Sequence, residues 1–330
     1  MDLHALIRAE ASAAEHQRAL TEPVVTALVD AGVHRLIAPK RYGGAELGLP
    51  EWNREIQELS RSDASTGWTA MTTTISSSLA WYLPVDAADE VFGDPRALIA
   101  GTAAPLGKAV ETDGGYLVTG RWGWGSAVTH CSWIIGGTLT PVGPRLAVYP
   151  RSDVTIHDTW HAAGLRATSS HDFSLENAFL PLRRAVWPIG VTPGIEGPIT
   201  VFPYFSFLAA GVASVCLGAA RRAIDEIEAL AVSKTPQYAT SRLAEQTGVQ
   251  IADRTSIQAL WCVHARHAVR RPAPPRPEGG RAQGGPHRHR HAVDLRPPAA
   301  LPARRGLPAD HDEEGALQVD RVRAAVVPAR

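Results

Sequence analysis

The chain has 330 residues, 33 Lys and Arg against 33 Asp and Glu, and 45% apolar residues. Zero formal charge excludes an overall basic field that would concentrate nucleic acid or an anionic membrane, so partners have to be argued from sites. Cys131, Cys216 and Cys262 are far apart and lack metal-ligand spacing, which excludes a disulfide framework or zinc finger and predicts a reducing, cytoplasmic setting.

Residues 3–31 read as two helices. Thr21 caps the second, Pro23 lies in its first turn and Gly32 ends it. No early apolar run has the character of a signal peptide, and no apolar stretch reaches the ~20 residues of a spanning helix, so a protein neither secreted nor inserted is predicted. In "PEWNREIQELSR", Trp52, Ile56 and Leu59 recur at one-turn spacing and predict a helix with one buried stripe. "DASTGWTAMTTTISSSLAWYL" is long, small and weakly polar, as suits a helix crowded on several sides.

From Leu98 the runs shorten and alternate, and "TDGG" lies between two of them as a hairpin signal. About ninety residues of this kind predict a barrel or sandwich rather than βαβ repeats. No GxGxxG follows a strand at a helix start, which excludes the usual Rossmann nucleotide site. From Phe202 helical periodicity returns in two long segments, 205–232 and 241–269, which predict a bundle. After Arg271 the chain carries ten prolines and no Ile, Phe, Tyr, Trp, Lys or Met, a composition that buries little and breaks helices. The expected organisation is an α-helical domain over 1–97, a β-barrel domain over 98–190, a partial helical bundle over 195–270 and a tail over 271–330.

The stretch "GRWGWGSAVTHCSW", residues 120–133, places Trp122, Trp124 and Trp133 among small residues. The residue types leave two roles open: barrel core, or a surface for a flat guest, with a hydroxyl nearby to bond it.

The order helical domain, β domain, helical bundle resembles the acyl-CoA dehydrogenase superfamily. "LVDAGVHRLIAPKRYGGAELGLPEW", "RSDASTGWTA", "GGYLVTGRWGWGSAVTHCSWIIGG" and "TWHAAGLRATSSHDFSLENAFLP" are each similar to a family stretch, in family order, and the resemblance runs over residues 15–265. It implies a mainly α fold with a central β domain, a flavin whose ring lies against Trp124 and Ser126, and core roles for Trp122 and Trp133. Thr102 and Ser169 are further cofactor-binding candidates, with Ser170 at the flavin edge, and Trp68 is a candidate on the substrate side. His130 and His171 are candidate proton donors or acceptors, because histidine titrates in the useful range. Arg166 is expected either to meet a phosphate or to anchor its strand.

A dehydrogenase of this superfamily needs a carboxylate base from the bundle. The first bundle helix has no Asp or Glu before Asp225, and "GTAAPLGKAV" stands where many dehydrogenases have a "TEP.AGSD"-like stretch. The chain therefore looks more like the two-component monooxygenase branch, with naphthocyclinone-type and aromatic hydroxylases. That resemblance implies reduced FMN or FAD supplied by a separate NAD(P)H-dependent flavin reductase, and molecular oxygen as co-substrate. It also implies hydroxylation of an aromatic, polyketide or amine small molecule through a C4a-hydroperoxyflavin, secondary metabolism, and a homotetramer. The alternatives are a flavin-dependent acyl-CoA dehydrogenase and an inactive truncated member or scaffold.

Members of the branch usually close with a helix like "RD.haa..qH", and nothing similar follows Arg271. The composition of 271–330 is what GC-rich DNA yields out of frame, so a frameshifted or disordered tail is expected. His287, His289 and His291 alternate with arginines whose charge opposes a cation, so no metal and no nucleic acid are expected.

Overall fold

The computed structural model describes residues 2–256 except 192, 195, 251, 253 and 254. The chain gathers into two units, Met1–Ile227 and Glu228–Arg330. Helices α1 (Leu3–Gln17), α2 (Glu22–Asp30), α3 (Leu49–Ser62), α4 (Ala64–Ser77) and α5 (Val85–Phe92) come first. Local chemistry sets several of their ends. Asp2 accepts from Ala5 N at 3.2 Å, and Asp63 accepts from Thr66 N at 2.7 Å. Gly32 takes the left-handed conformation after α2, at φ 68°. Thr21 stands at the N-cap of α2 but its hydroxyl makes no capping bond, so the expected side-chain cap is replaced by Pro23 and Glu22 in the first turn.

The stripe of Trp52, Ile56 and Leu59 is buried and joins Ile7, Leu28 and Met71 in one core. Three glycines let backbones approach α3. A Cβ at Gly67 of α4 would lie 2.6 Å from Ser60 Cα. On α6 (Tyr204–Ser233), a Cβ at Gly218 would lie 2.6 Å from Ser60 Cβ, and one at Gly211 2.7 Å from the Trp52 ring. Helix α6 is also long and apolar enough, by length and composition, to cross a membrane, contrary to the expectation that no segment is. Its glycine contacts with α3 are those of a bundle helix.

Seven strands follow α5: β1 (Ile99–Thr112), β2 (Gly115–Gly125), β3 (Trp133–Thr140), β4 (Gly143–Pro150), β5 (Thr155–His157), β6 (His171–Pro181) and β7 (Ala185–Val186). The "TDGG" hairpin forms as expected, with Thr112 opposite Gly115 and Gly114 at φ 77°. The barrel or sandwich is a single hydrogen-bonded sheet, ordered β5-β6-β2-β1-β3-β4-β7, antiparallel except where β1 runs parallel to β3. Val118, Trp122, Ile134, Tyr149 and Phe173 share one core, so strands from both sides of that order wrap the same cluster. Within the helix expected over 241–269, residues 247–250 are helical, and most of the segment lies outside the described residues, as does the tail over 271–330 with His287, His289 and His291.

Two outcomes follow from these contacts. Gly67→Ala drives a methyl group into Ser60 and lowers stability by about 1–3 kcal/mol, measured by urea unfolding. Burial, the main cause, pulls the His34 imidazole from 6.5 to about 4, with Arg35 and Arg96 adding to the shift and Asp94 opposing it. The unfolded chain takes this proton below 6.5 but the folded chain only near 4. The stability held by neutral His34 is therefore complete above pH 6.5 and lost as pH falls through 4. The thermal midpoint falls across that window, and His34→Gln flattens the slope.

Candidate functional site

The site is built where β2 ends. Trp122 occupies a slot that glycines leave open: a Cβ at Gly107, Gly120 or Gly136 would lie 2.5, 2.8 or 2.9 Å from its ring. Its ring stacks on Phe173 at 5.1 Å, and its Nε1 donates to Gly137 O at 2.8 Å. In a regular strand Trp124 would point to the same face. It does not. Between the pairs Trp122 with Phe173 and Gly125 with His171, β2 advances three residues while β6 advances two, so β2 carries a bulge. Trp124 takes φ 60° and turns its indole outward, 78% exposed. Thr102 of β1 holds the bulge, donating from Oγ1 to Gly123 O at 2.9 Å.

Ser126 follows, 6% exposed, at one end of a hydroxyl chain. Trp68 Nε1 of α4 donates to Ser126 Oγ at 2.9 Å. Ser126 Oγ is 2.7 Å from Ser170 Oγ, which is 2.7 Å from Thr168 Oγ1, which donates to Leu165 O at 2.8 Å. An indole N–H only donates and a carbonyl only accepts, so the ends fix every proton between them. Thr168 gives its proton to Leu165, Ser170 to Thr168, and Ser126 to Ser170. One lone pair remains on Ser126 Oγ, and no proton.

Trp124, Ala127, Leu165 and Ser169 all hold φ between 43° and 64° without being glycine. Such residues carry strain of about 1–3 kcal/mol each and gather where geometry matters more than local ease. Ala127 N donates to Thr168 O at 2.9 Å, tying the two strained segments together.

The other candidates divide. Ser170 belongs to the hydroxyl chain. Ser169 is fully buried, and its Oγ pairs with Thr129 Oγ1 at 2.7 Å, so it supports the turn from beneath instead of reaching an open edge. His171 accepts at Nδ1 from Thr159 N and Trp160 N, both at 3.2 Å, which places the ring proton on Nε2. Burial lowers its pKa chiefly, against the pull of Asp158. A ring so used anchors the 158–160 segment. His130 lines a cavity with His34 and Thr69, apart from the hydroxyl chain. Arg166 donates to Glu15 O at 3.2 Å and so anchors its segment to α1. Trp133 packs against a core cluster, under the Arg184 guanidinium at 5.6 Å. Among the described residues no group of three or more His, Cys, Asp or Glu side chains could hold a metal.

Thr168 and Thr129 were missed by sequence reasoning. Their signal was present: the hydroxyls of "SAVT" and "ATSS" meet once β2 is paired with β6.

A family profile described as acyl-CoA dehydrogenase, N-terminal domain, matches residues 4–84. The pigment production hydroxylase of Rhodococcus sp. (strain ATCC 21145) is 37% identical over 242 residues, 68% of this chain and 62% of that protein. The chain thus spans less than two thirds of that relative's length. An indole-3-acetate monooxygenase of Acinetobacter baumannii is 30% identical over 263 residues, 76% of this chain and 67% of that protein. The solved structure of XiaF from Streptomyces sp., in complex with FADH2 and glycerol, is similar with a TM-score of 0.68 at 27% identity, covering 82% of this chain and 75% of that one.

Trp68→Phe keeps the ring and deletes the donor that starts the hydroxyl chain. It lowers stability by about 0.5–1.5 kcal/mol, read from urea unfolding.

Proposed function

The chain belongs to the flavin-dependent monooxygenase branch of the acyl-CoA dehydrogenase superfamily, and from that premise we propose that it is the oxygenase component of a two-component hydroxylase. Its proposed substrate is an aromatic, polyketide or amine small molecule, and its cofactor is reduced FMN or FAD delivered by a separate NAD(P)H-dependent reductase. A cytoplasmic homo-oligomer is part of the same proposal.

The observation that carries the reading is the outward indole of Trp124 beside the polarised Ser126. A flat, exposed indole suits the face of an isoalloxazine ring. The acceptor available fits the reduced state: the N5 of reduced flavin bears a proton, and Ser126 Oγ has a lone pair and no proton to give. With its proton committed to Ser170, Ser126 Oγ serves toward the flavin as an acceptor. Reduced flavin, when bound, supplies the two electrons with which dioxygen yields a hydroxylated product and water.

Residues of this chain then have separate tasks. Trp124 would cover the ring, and Ser126 would hold it by accepting from N5–H. Thr102 keeps the bulge that aims Trp124 outward. Trp68, half-buried with its Nε1 on Ser126, offers its ring to the substrate side and keeps water from the hydroxyl chain. His171 has an anchoring task in the proposal, its Nδ1 accepting from two backbone N–H groups of the 158–160 segment. An acyl-CoA dehydrogenase is disfavoured for a structural reason also. Asp225, the first carboxylate on α6, is held by Arg61 at 2.6 Å and by Arg221 at 3.1 Å, in ion pairs and not free as a base.

The test is anaerobic titration of the full chain with reduced FMN and FADH2, followed by oxygen with candidate substrates. Reduced flavin binds and is consumed with oxygen if the reading holds; bleaching of oxidised flavin by acyl-CoA would favour the dehydrogenase, and no binding of either flavin would leave a scaffold. Trp124→Ala weakens reduced-flavin binding by about tenfold, equivalent to about 1.4 kcal/mol. Ser126→Ala narrows the preference for reduced over oxidised flavin, measured as the ratio of the two dissociation constants.

A further inference from the structure

A cavity of about 20 Å³ lies against α2 and α4, walled by Leu20, Val33 and Leu98 and by four polar residues, His34, Thr69, Thr73 and His130, of which Thr73 spends its hydroxyl on Thr69 O and Ala70 O. His34 Nδ1, Thr69 Oγ1 and His130 Nε2 are each buried and each without a hydrogen-bond partner. His34 and Thr69 are more than nine-tenths buried. The tautomer of His34 is fixed by its neighbour: Nε2 lies 3.1 Å from Pro95 O, which only accepts, so Nε2 carries the proton and Nδ1 presents a bare lone pair. Buried polar groups in native folds are rarely orphaned, and three on one cavity are a built site for a missing partner.

The size of the partner is limited. A cavity of about 10–15 Å³ holds one water, provided two to four polar groups meet it. A cation would lack a carboxylate, since none lines the cavity, and an anion would lack a fixed positive charge there. Burial lowers the pKa of both His34 and His130, so both rings are neutral at neutral pH.

We propose that this cavity binds one ordered water that donates to His34 Nδ1 and shares its remaining hydrogen bonds with Thr69 Oγ1 and His130 Nε2. The arrangement balances in either tautomer of His130: a protonated Nε2 donates to the water, and a bare Nε2 takes its second proton while Thr69 donates. The water also bears on the candidate site. Trp68 and Thr69 are consecutive on α4, and Ser126 and His130 belong to one turn closed by His130 N on Ala127 O at 2.9 Å. Trp68 holds one end of that turn directly through Ser126, and Thr69 holds the other through the water.

The test uses the full chain without flavin, so it stands or falls apart from the proposed function. Thr69→Val preserves shape and removes a hydroxyl. With water bound, the water loses a partner and the thermal midpoint falls by about 2–4 °C; in a dry cavity the same change deletes an orphaned polar group and the midpoint rises. Oxygen-17 relaxation dispersion counts long-lived internal waters, and His130→Phe, which fills the space, removes one from that count. A fall in midpoint together with the loss of one long-lived water supports the proposal. A rise in midpoint, or an unchanged count in His130→Phe, overturns it.

Discussion

The indole of Trp122 is the constraint on which the β region turns. It is the largest group in a core bounded by strands, and it fits only because Gly107, Gly120 and Gly136 carry no side chain where it lies. Its one polar atom is satisfied by Gly137 O, so burial of the ring leaves no penalty of an unpaired N–H. Phe173 on β6 stacks on the same ring and thereby sets the register of β2 against β6. That register decides which residue falls opposite Gly125, and hence where the bulge can form.

Trp124 is what the bulge delivers. Two tryptophans separated by one residue ordinarily share a face, and here one is sealed in while the other faces out. The left-handed turn at Trp124, the Thr102 bond to Gly123 and the hydroxyl chain behind Ser126 all work to hold that reversal. Helix α4 takes part because Gly67 lets it lie close against α3, which carries Trp68 to the Ser126 hydroxyl. At the site itself, α4 and the end of β2 are therefore joined by a hydrogen bond between a donor-only indole and a serine.

How much of this was legible in the sequence differs from residue to residue. Helix α3 could be read because Trp52, Ile56 and Leu59 repeat at the helical period, and such a repeat is local. The β1–β2 hairpin could be read from "TDGG" for the same reason. The role of Trp122 as core and the proposed roles of Trp124 and Ser126 rest on a resemblance, since alternation alone assigns both tryptophans to one face. The direction of the Ser126 hydroxyl is not legible in the sequence. It depends on Thr168 and Leu165, remote in sequence, and on the donor or acceptor nature of the chain's ends. His171 and Ser169 also look like site residues in sequence, because histidine and serine are equally able to serve catalysis or to satisfy a buried backbone. Only neighbours in space separate those uses.

The hydroxyl chain from Trp68 to Leu165 has one further property. Relay of a proton along hydroxyls requires that each member accept on one side, release on the other, and then rotate back. An indole nitrogen does not surrender its proton in this setting, and a backbone carbonyl does not keep one. Neither end can begin or finish a relay, and the chain has a single orientation to which it must return. Four side chains that look like a wire are thus an insulator: they bring polar groups to the rim of the site while denying protons a route through the interior.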